Sequence, residues 1–334
     1  MNAVSLSAAI AIAASTATFA ADKVNVQLDY VVRGNHAMFF VAAKKGYFGS
    51  QGIEIAAIQR GTSSQNTMRL VGNGNAEFGF GDLPTLAVAR SQGVPVVALV
   101  AVNQRSPLGM LALSARHRLD KPTDLKGLNV GVQPSGSTYI FLKAFLTANK
   151  MTLADIQQST VTPPYENYLL LGRVDAVPGY LDAEVPELEA KAGGPGSLAI
   201  MQGADFGYAV YGSGLFTSEG VIAARSDLVQ RFVNAYVQAF ADVVRAPEEA
   251  AGIVVEANPE YAARKEVLIK QLEADVKATF FGADTRAHGI GWMTREGWEN
   301  TAATLLEQGA MTRAINAEAA FTDRYLERAQ APKQ

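Results

Sequence analysis

Cysteine is absent from the 334 residues. With it go disulfides, thiolate catalysis and cysteine-based zinc sites, while the redox compartment stays open, because a chain without thiols is at ease in either environment. Histidine is scarce: His36, His117 and His288 are the only three. No His-Glu-x-x-His pair and no Gly-x-Ser-x-Gly elbow is present, so neither a zinc-protease nor a serine-hydrolase pattern is written here. His117 stands between Arg116 and Arg118 in a segment that reads as an exposed loop, and His288 lies in the polar tail. No block of Lys or Arg stands out and the formal net charge is −3, so there is no electrostatic footprint for nucleic acid. No internal repeat is visible, and nothing is of low complexity except the start.

What remains is an ordinary globular composition. Hydrophobic residues make up 49% and charged residues 18%, enough for a substantial core, and the length suits about two domains. Residues 4–21 are apolar and rich in alanine, ending Phe-Ala-Ala. The run is too short and too weakly apolar to span a bilayer, which needs ~20 apolar residues. It reads as a secretory signal cleaved after Ala20 or Ala21, although no Lys or Arg precedes it; the other reading is an alanine-rich helix.

The stretch from Val24 to Phe48 organises the rest. Val24, Val26 and Leu28 alternate with Asn25 and Gln27, as in a half-buried strand. A short loop follows with Arg33, Gly34 and Asn35, and Asn35 is placed to cap the helix predicted over residues 36–45, which Gly46 closes. Strand, loop and helix form the first β-α step of a parallel sheet. In such sheets ligands bind beyond the carboxyl ends of the strands, next to helix N-termini. Asp29, Tyr30, Arg33, Asn35 and His36 therefore sit where a pocket would be.

Further along, residues 53–58 read as a second strand, and Gly61-Thr-Ser-Ser-Gln65 leads into a helix. That loop either holds an anion at the helix start or simply caps it through Thr62 or Ser63. Residues 77–80 are a third strand, after which Asp82 either accepts hydrogen bonds from a ligand or caps the next helix. Residues 94–102 form a continuous apolar run, expected of a strand covered on both faces. Arg105 follows, as a clamp on a carboxylate or sulfonate or as a hinge ion pair. The same grammar then restarts: a strand over 128–132, and a loop with Ser135, Gly136, Ser137 and Thr138 opening a helix to about 149. Hydroxyls and free N–H groups at that helix start make a second site signal, and the spacing is not that of a P-loop. Residues 160–162 and 174–180 read as strands, 208–216 as a return crossing, and 220–224 as an added antiparallel strand. From residue 228 the pattern is helix after helix, beginning with a strongly amphipathic one. Trp292 and Trp298 are assigned to the core, Trp292 with the cleft as its alternative.

These motifs carry a resemblance. Asp29-Tyr30, Asn35-His36 and Lys45-Gly-Tyr-Phe48, with residues 70–81, 124–131 and 172–177, resemble the solute-binding proteins of ABC importers. The group taking up thiamine-pyrimidine precursors is the most similar, with alkanesulfonate, taurine and aromatic-acid binders as relatives. The resemblance implies an α/β, two-lobed periplasmic-binding-protein fold of type II. Each lobe would be a mostly parallel sheet flanked by helices, with the ligand in the interlobe cleft. Residues 22–107 with 215–334 would form lobe 1 and residues 108–214 lobe 2. It implies ligand contacts at Tyr180, Asp182 and Glu184 and, with Tyr30 and Tyr208 as further aromatic surfaces, stacking on a planar ring. It also implies a periplasmic monomer without metal or cofactor, which catalyses nothing and delivers a small molecule to an inner-membrane permease. The early Asp-Trp of pyrimidine binders is Asp29-Tyr30 here, followed by Arg33-Gly34, so an aromatic carboxylate or a sulfonate is the alternative ligand. The same fold also resembles the eukaryotic thiamine-pyrimidine synthase, but Gly81 stands where its pyridoxal-phosphate Lys should be and Thr85 where its consumed His should be.

Overall fold

The computed structural model describes residues 21–162, 164 and 166–329. The signal segment proposed above lies outside the described residues, apart from its last position. The chain opens with β1 (Asp22–Gln27), α1 (Ala37–Lys44), α2 (Tyr47–Ser50), β2 (Ile53–Gln59), α3 (Ser64–Gly72), β3 (Phe78–Asp82), α4 (Leu83–Ser91) and β4 (Val96–Ala101). It crosses to β5 (Leu108–Leu113), β6 (Asn129–Val132), α5 (Ser137–Ala148), β7 (Gln157–Thr160), α6 (Glu166–Leu170), β8 (Ala176–Tyr180), α7 (Leu181–Ala192) and β9 (Leu198–Gln202). It returns through β10 (Ser213–Ser218) to α8 (Glu219–Ala224), α9 (Ser226–Arg245), α10 (Pro247–Ala257) and α11 (Lys265–Ala278). The last helices are α12 (Ala283–His288), α13 (Arg295–Glu307), α14 (Ala317–Ala320) and α15 (Leu326–Ala329).

Two five-stranded sheets result, ordered β2-β1-β3-β10-β4 and β7-β6-β8-β5-β9. Each is mixed: β10 runs antiparallel to both its neighbours, as β5 does in the other sheet. We call the body around the first sheet lobe 1 and the body around the second lobe 2. The two crossings between them are bonded to each other, Gly212 N–H donating to the Asn103 carbonyl at 2.8 Å and Ser106 N–H to that of Val210 at 2.8 Å.

Hydrophobic pattern decides which faces are covered. Every residue of β4 is buried, as its unbroken apolar run requires. Along α9, Leu228, Phe232, Val233, Tyr236, Phe240 and Val243 recur at three- and four-residue spacing and are buried against the first sheet. Phe232 stacks on Phe78 of β3 with ring centres 3.7 Å apart. Trp298 is fully buried, stacked on Phe321, while Trp292 stacks on His288 beside the lobe 1 core and lines neither cleft pocket.

Two local expectations are corrected. The antiparallel strand is residues 213–218, and residues 219–224 are helical, because the Ser218 hydroxyl accepts from Val221 N–H and caps a helix there. Asn35 caps nothing: it lies inside a turn of 3-10 helix over Gly34–His36 that leads straight into α1. Gly46, in contrast, has the left-handed φ of 74° expected of a glycine that ends a helix.

Gly61 holds the end of β2 against the end of β1. A Cβ there would stand 2.1 Å from the Leu28 carbonyl oxygen and 2.6 Å from the Asp29 carbonyl carbon. Both obstacles are backbone, so no rotamer relieves them. Gly61→Ala is expected to cost at least about 1–3 kcal/mol, read as a lower urea midpoint, and to displace Asp29.

Candidate functional site

Because β1 and β3 are parallel neighbours, they end at the same edge of the sheet, and the helices after β2 and β3 begin there. Asp29, Ser64 and Asp82 meet at that edge. Arg33 N–H donates to His36 Nδ1 at 3.1 Å, so that nitrogen carries no proton and Nε2–H is the donor to Asp29 Oδ1 at 3.0 Å. Ser64 Oγ donates to Asp29 Oδ2 at 3.2 Å and accepts from the Asp82 N–H at 3.1 Å. The imidazole is further held edge-on to Phe80, 4.9 Å between ring centres. Asp29 is thus a nearly buried carboxylate aimed by two fixed donors, with lone pairs left over.

Asp82 sits one layer deeper and is fully buried. Its Oδ2 accepts from Thr85 N–H at 2.9 Å and Thr85 Oγ1 at 2.5 Å, so it caps α4. Oδ1 makes no hydrogen bond of ordinary length among the described residues, although the Tyr180 hydroxyl lies near enough to stabilise the charged form. Burial pushes its pKa up to about 7, with Asp29 adding to the rise and the Thr85 hydrogen bonds opposing it. A carboxyl with a raised folded-state pKa stabilises the fold fully below its unfolded value and loses that contribution as pH climbs through the folded one. The window here runs from about pH 4 to about pH 7, and the loss is of order 3–5 kcal/mol. Asp82→Asn, which keeps the capping oxygen, is expected to flatten that fall. The check is the difference between wild-type and variant chemical-denaturation free energies at pH 4.5 and 7.5.

The opposite wall comes from lobe 2. Gly136, at the cap position before α5, has no side chain to offer, so the Ser137 and Thr138 end of the helix faces the cleft with N–H groups that no side chain caps. Ser137 Oγ and the Tyr180 hydroxyl are 2.6 Å apart. Burial, then the charges of Asp82 and Asp29, hold the Tyr180 phenol well above its ordinary pKa, so it stays a neutral hydrogen-bonding group. Gln133 Nε2 reaches across to the Thr62 carbonyl of lobe 1 at 3.3 Å. A narrow pocket lies between the walls, bounded by Asp29, Tyr30, Thr62, Ser64, Ser137 and Tyr180 among others.

Arg33 roofs this pocket. Its guanidinium lies 4.3 Å from the Tyr30 ring centre and 5.6 Å from that of Tyr180, and it forms a buried ion pair with Glu184 at the start of α7. Beyond Arg33 is a second, roomier space, lined by Tyr30, Arg33, Glu184, Glu187 and Arg264.

Of the residues singled out in the sequence, the structure brings Asp29, Tyr30, Gly136, Ser137, Thr138 and Tyr180 to one pocket. Glu184 lines the second space, and His36 and Asp82 stand behind the first wall, His36 in direct contact with Asp29. Asn35 is buried in its turn. Four others lie elsewhere. Ser135 is exposed on its loop. Arg105 pairs with Asp205 at 2.7 Å on the exposed hinge, the ion-pair alternative rather than the clamp. Tyr208 is fully buried against Phe141, and Asp182 is turned toward Asp275. The Thr62–Ser64 loop was visible as a helix start that could hold a polar edge. Gln133, Glu187 and Arg264 carried no such signal, since each owes its place to a partner far along the chain.

Two α/β bodies joined by paired crossings, with polar and aromatic side chains converging from both, make up the periplasmic-binding-protein fold. The chain belongs to the NMT1/THI5 like family, whose model matches residues 33–250. It is 24% identical over 313 residues to the riboflavin-binding protein RibY of Chloroflexus aurantiacus, covering 91% of this chain and 86% of that one. It is 25% identical over 306 residues to the formylaminopyrimidine-binding protein of Halalkalibacterium halodurans, covering 91% and 90%. Among solved structures, the alkanesulfonate-binding protein SsuA from Xanthomonas axonopodis pv. citri, bound to MOPS, superposes with a TM-score of 0.69. That match is at 15% identity and covers 90% of this chain and 98% of the other.

Proposed function

We propose that this protein is the periplasmic binding component of an ABC importer, closing as a monomer on a flat nitrogen heterocycle of the thiamine-precursor pyrimidine type. The solute is handed unchanged to an inner-membrane permease. The observation that carries this reading is the meeting of Asp29 and Tyr30 from lobe 1 with Tyr180 and Ser137 from lobe 2 around one pocket. Two phenol rings offer faces to a planar ring. Asp29, held by His36 and Ser64, accepts from an exocyclic amine. The relatives named for riboflavin and formylaminopyrimidine support a ring of this kind.

A second reading has its own observation. The starts of α3 and α5 open on the same pocket from opposite lobes, and Arg33 lies beside them. Such helix ends favour an anion, so an aromatic carboxylate or an alkanesulfonate such as taurine is the alternative solute. A thermal-shift screen of aminopyrimidines, riboflavin, aromatic carboxylates and sulfonates decides between them. A solute at 100 times its Kd adds about 2.7 kcal/mol of stability. Shifts confined to the heterocycles support the first reading, and shifts confined to the anions replace it with the second.

A further inference from the structure

Lobe 2 meets the C-terminal helices of lobe 1 along the first turns of α7. Arg33 holds Glu184, Gln271 Nε2 donates to the Ala183 carbonyl at 2.8 Å, and Arg264 pairs with Glu187. Gln271 is itself tied to lobe 1, its Oε1 accepting from Gly34 N–H at 2.9 Å. Among these contacts sits one of another kind. One turn on from the Gln271–Ala183 contact, Asp275 on α11 and Asp182 on α7 are 1% and 4% exposed, and each carboxyl acts on the other.

The bonding around the pair is nearly complete. Asp275 Oδ1 accepts from Asn103 Nδ2 at 2.7 Å and from Thr279 Oγ1 at 2.6 Å. Asp182 Oδ1 accepts from Ala183 N–H at 3.0 Å, while no N–H or hydroxyl reaches its Oδ2 among the described residues. Two bare carboxylates in contact and out of water repel each other strongly, so the packed arrangement holds one proton. Burial, then the Asp182 charge, raise the Asp275 carboxyl well above its usual range, and burial raises Asp182 as well. Asn103, the residue that grips Asp275, is also the one whose carbonyl ties the two crossings together. The pair therefore lies at the hinge, with one carboxyl on each lobe.

We propose that Asp182 and Asp275 form a proton-operated latch, in which one shared proton holds the lobes closed and its loss drives them apart. The groups facing the pair set its limits. Arg33, from the loop after β1, opposes the rise at Asp182; Asn103 from the hinge and Thr279 from the end of α11 act on Asp275. One turn along α7, Glu187 is held by Arg264 and Lys191. In the open form water reaches both carboxyls, which then ionise as ordinary ones. Closure thus takes up about one proton, and the closed-to-open ratio falls about tenfold per pH unit between the ordinary carboxyl range of the open form and the raised titration of the closed one.

The absence of cysteine makes the test clean. Ala56→Cys on β2 and Gln157→Cys on β7 place one spin label on each lobe at exposed positions. Interlobe distances are measured without solute from pH 5 to pH 9, in the full chain and in Asp275→Asn, whose amide can donate to Asp182 without a proton. The expected result is a closed distance at pH 5 that gives way to a longer one as pH rises, and a closed distance at every pH in the variant. A wild-type distance unchanged across the range overturns the latch. So does a pH response that survives Asp275→Asn, since it would belong to another carboxyl such as Asp82. If Asp275→Asn does not fold by circular dichroism, Asp182→Asn is read in the same way and the wild-type titration decides by itself.

Discussion

Glu184→Ala is expected to open the protein more than to unfold it. Glu184 and Arg33 have side chains only 2% and 10% exposed, and they come from different lobes. Removing one member of a buried ion pair costs about 3–5 kcal/mol when the other stays buried. Here Arg33 has an escape, because separating the lobes returns its guanidinium to water. The loss therefore falls on the closed form, and any solute that needs closure should bind at least about a hundredfold more weakly, since each 1.4 kcal/mol is tenfold. Glu184→Gln, which keeps the shape and one acceptor, should lose less. Calorimetric Kd values for the two variants, set beside their thermal midpoints, check this. A large fall in midpoint without loss of affinity would place the pair in the folding of lobe 2 and not in closure.

The second large effect is expected at Asp29. Both oxygens already accept, from His36 Nε2–H and Ser64 Oγ. Asp29→Asn puts an N–H where Ser64 Oγ now donates, so that hydroxyl must turn to accept it, and the charged acceptor for a solute amine is removed. Truncating a buried hydrogen-bonded charge at an interface costs about 2–5 kcal/mol, so affinity for a heterocycle should drop at least about thirtyfold. Arg105→Ala is the matched control. Its ion pair with Asp205 is half exposed on both sides, and such pairs contribute about 0–1 kcal/mol, so its affinity should change less than about fivefold. The reverse ranking would shift the assignment to an anionic solute.

What could be seen in the sequence follows from which forces are local. The β-α step around Asp29 was legible because alternation, a short loop and a closing glycine all act within a few residues. The same holds for the Ser137–Thr138 helix start. Arg105 was harder, since a single Arg after a strand reads alike as clamp or ion pair until Asp205, exactly one hundred residues on, is placed beside it. Tyr208 was misdirected for a related reason: an aromatic near a crossing suits a cleft, but Phe141 on α5 claims it for the lobe 2 core. Asp182 is a ligand contact on the family resemblance alone. Its partner Asp275 lies in the C-terminal helices, and nothing in either segment announces the other. Val221 and Ile222 suit a strand, but the Ser218 hydroxyl caps residues 219–224 as a helix.

The most direct measurement is calorimetric titration of the whole chain with the solute that gives the largest thermal shift, followed by mass spectrometry of the solute recovered by ultrafiltration. A solute-binding protein predicts saturable one-to-one binding and a recovered molecule of unchanged mass. A solute altered or consumed during the incubation would contradict the binding role and make the cleft an active site.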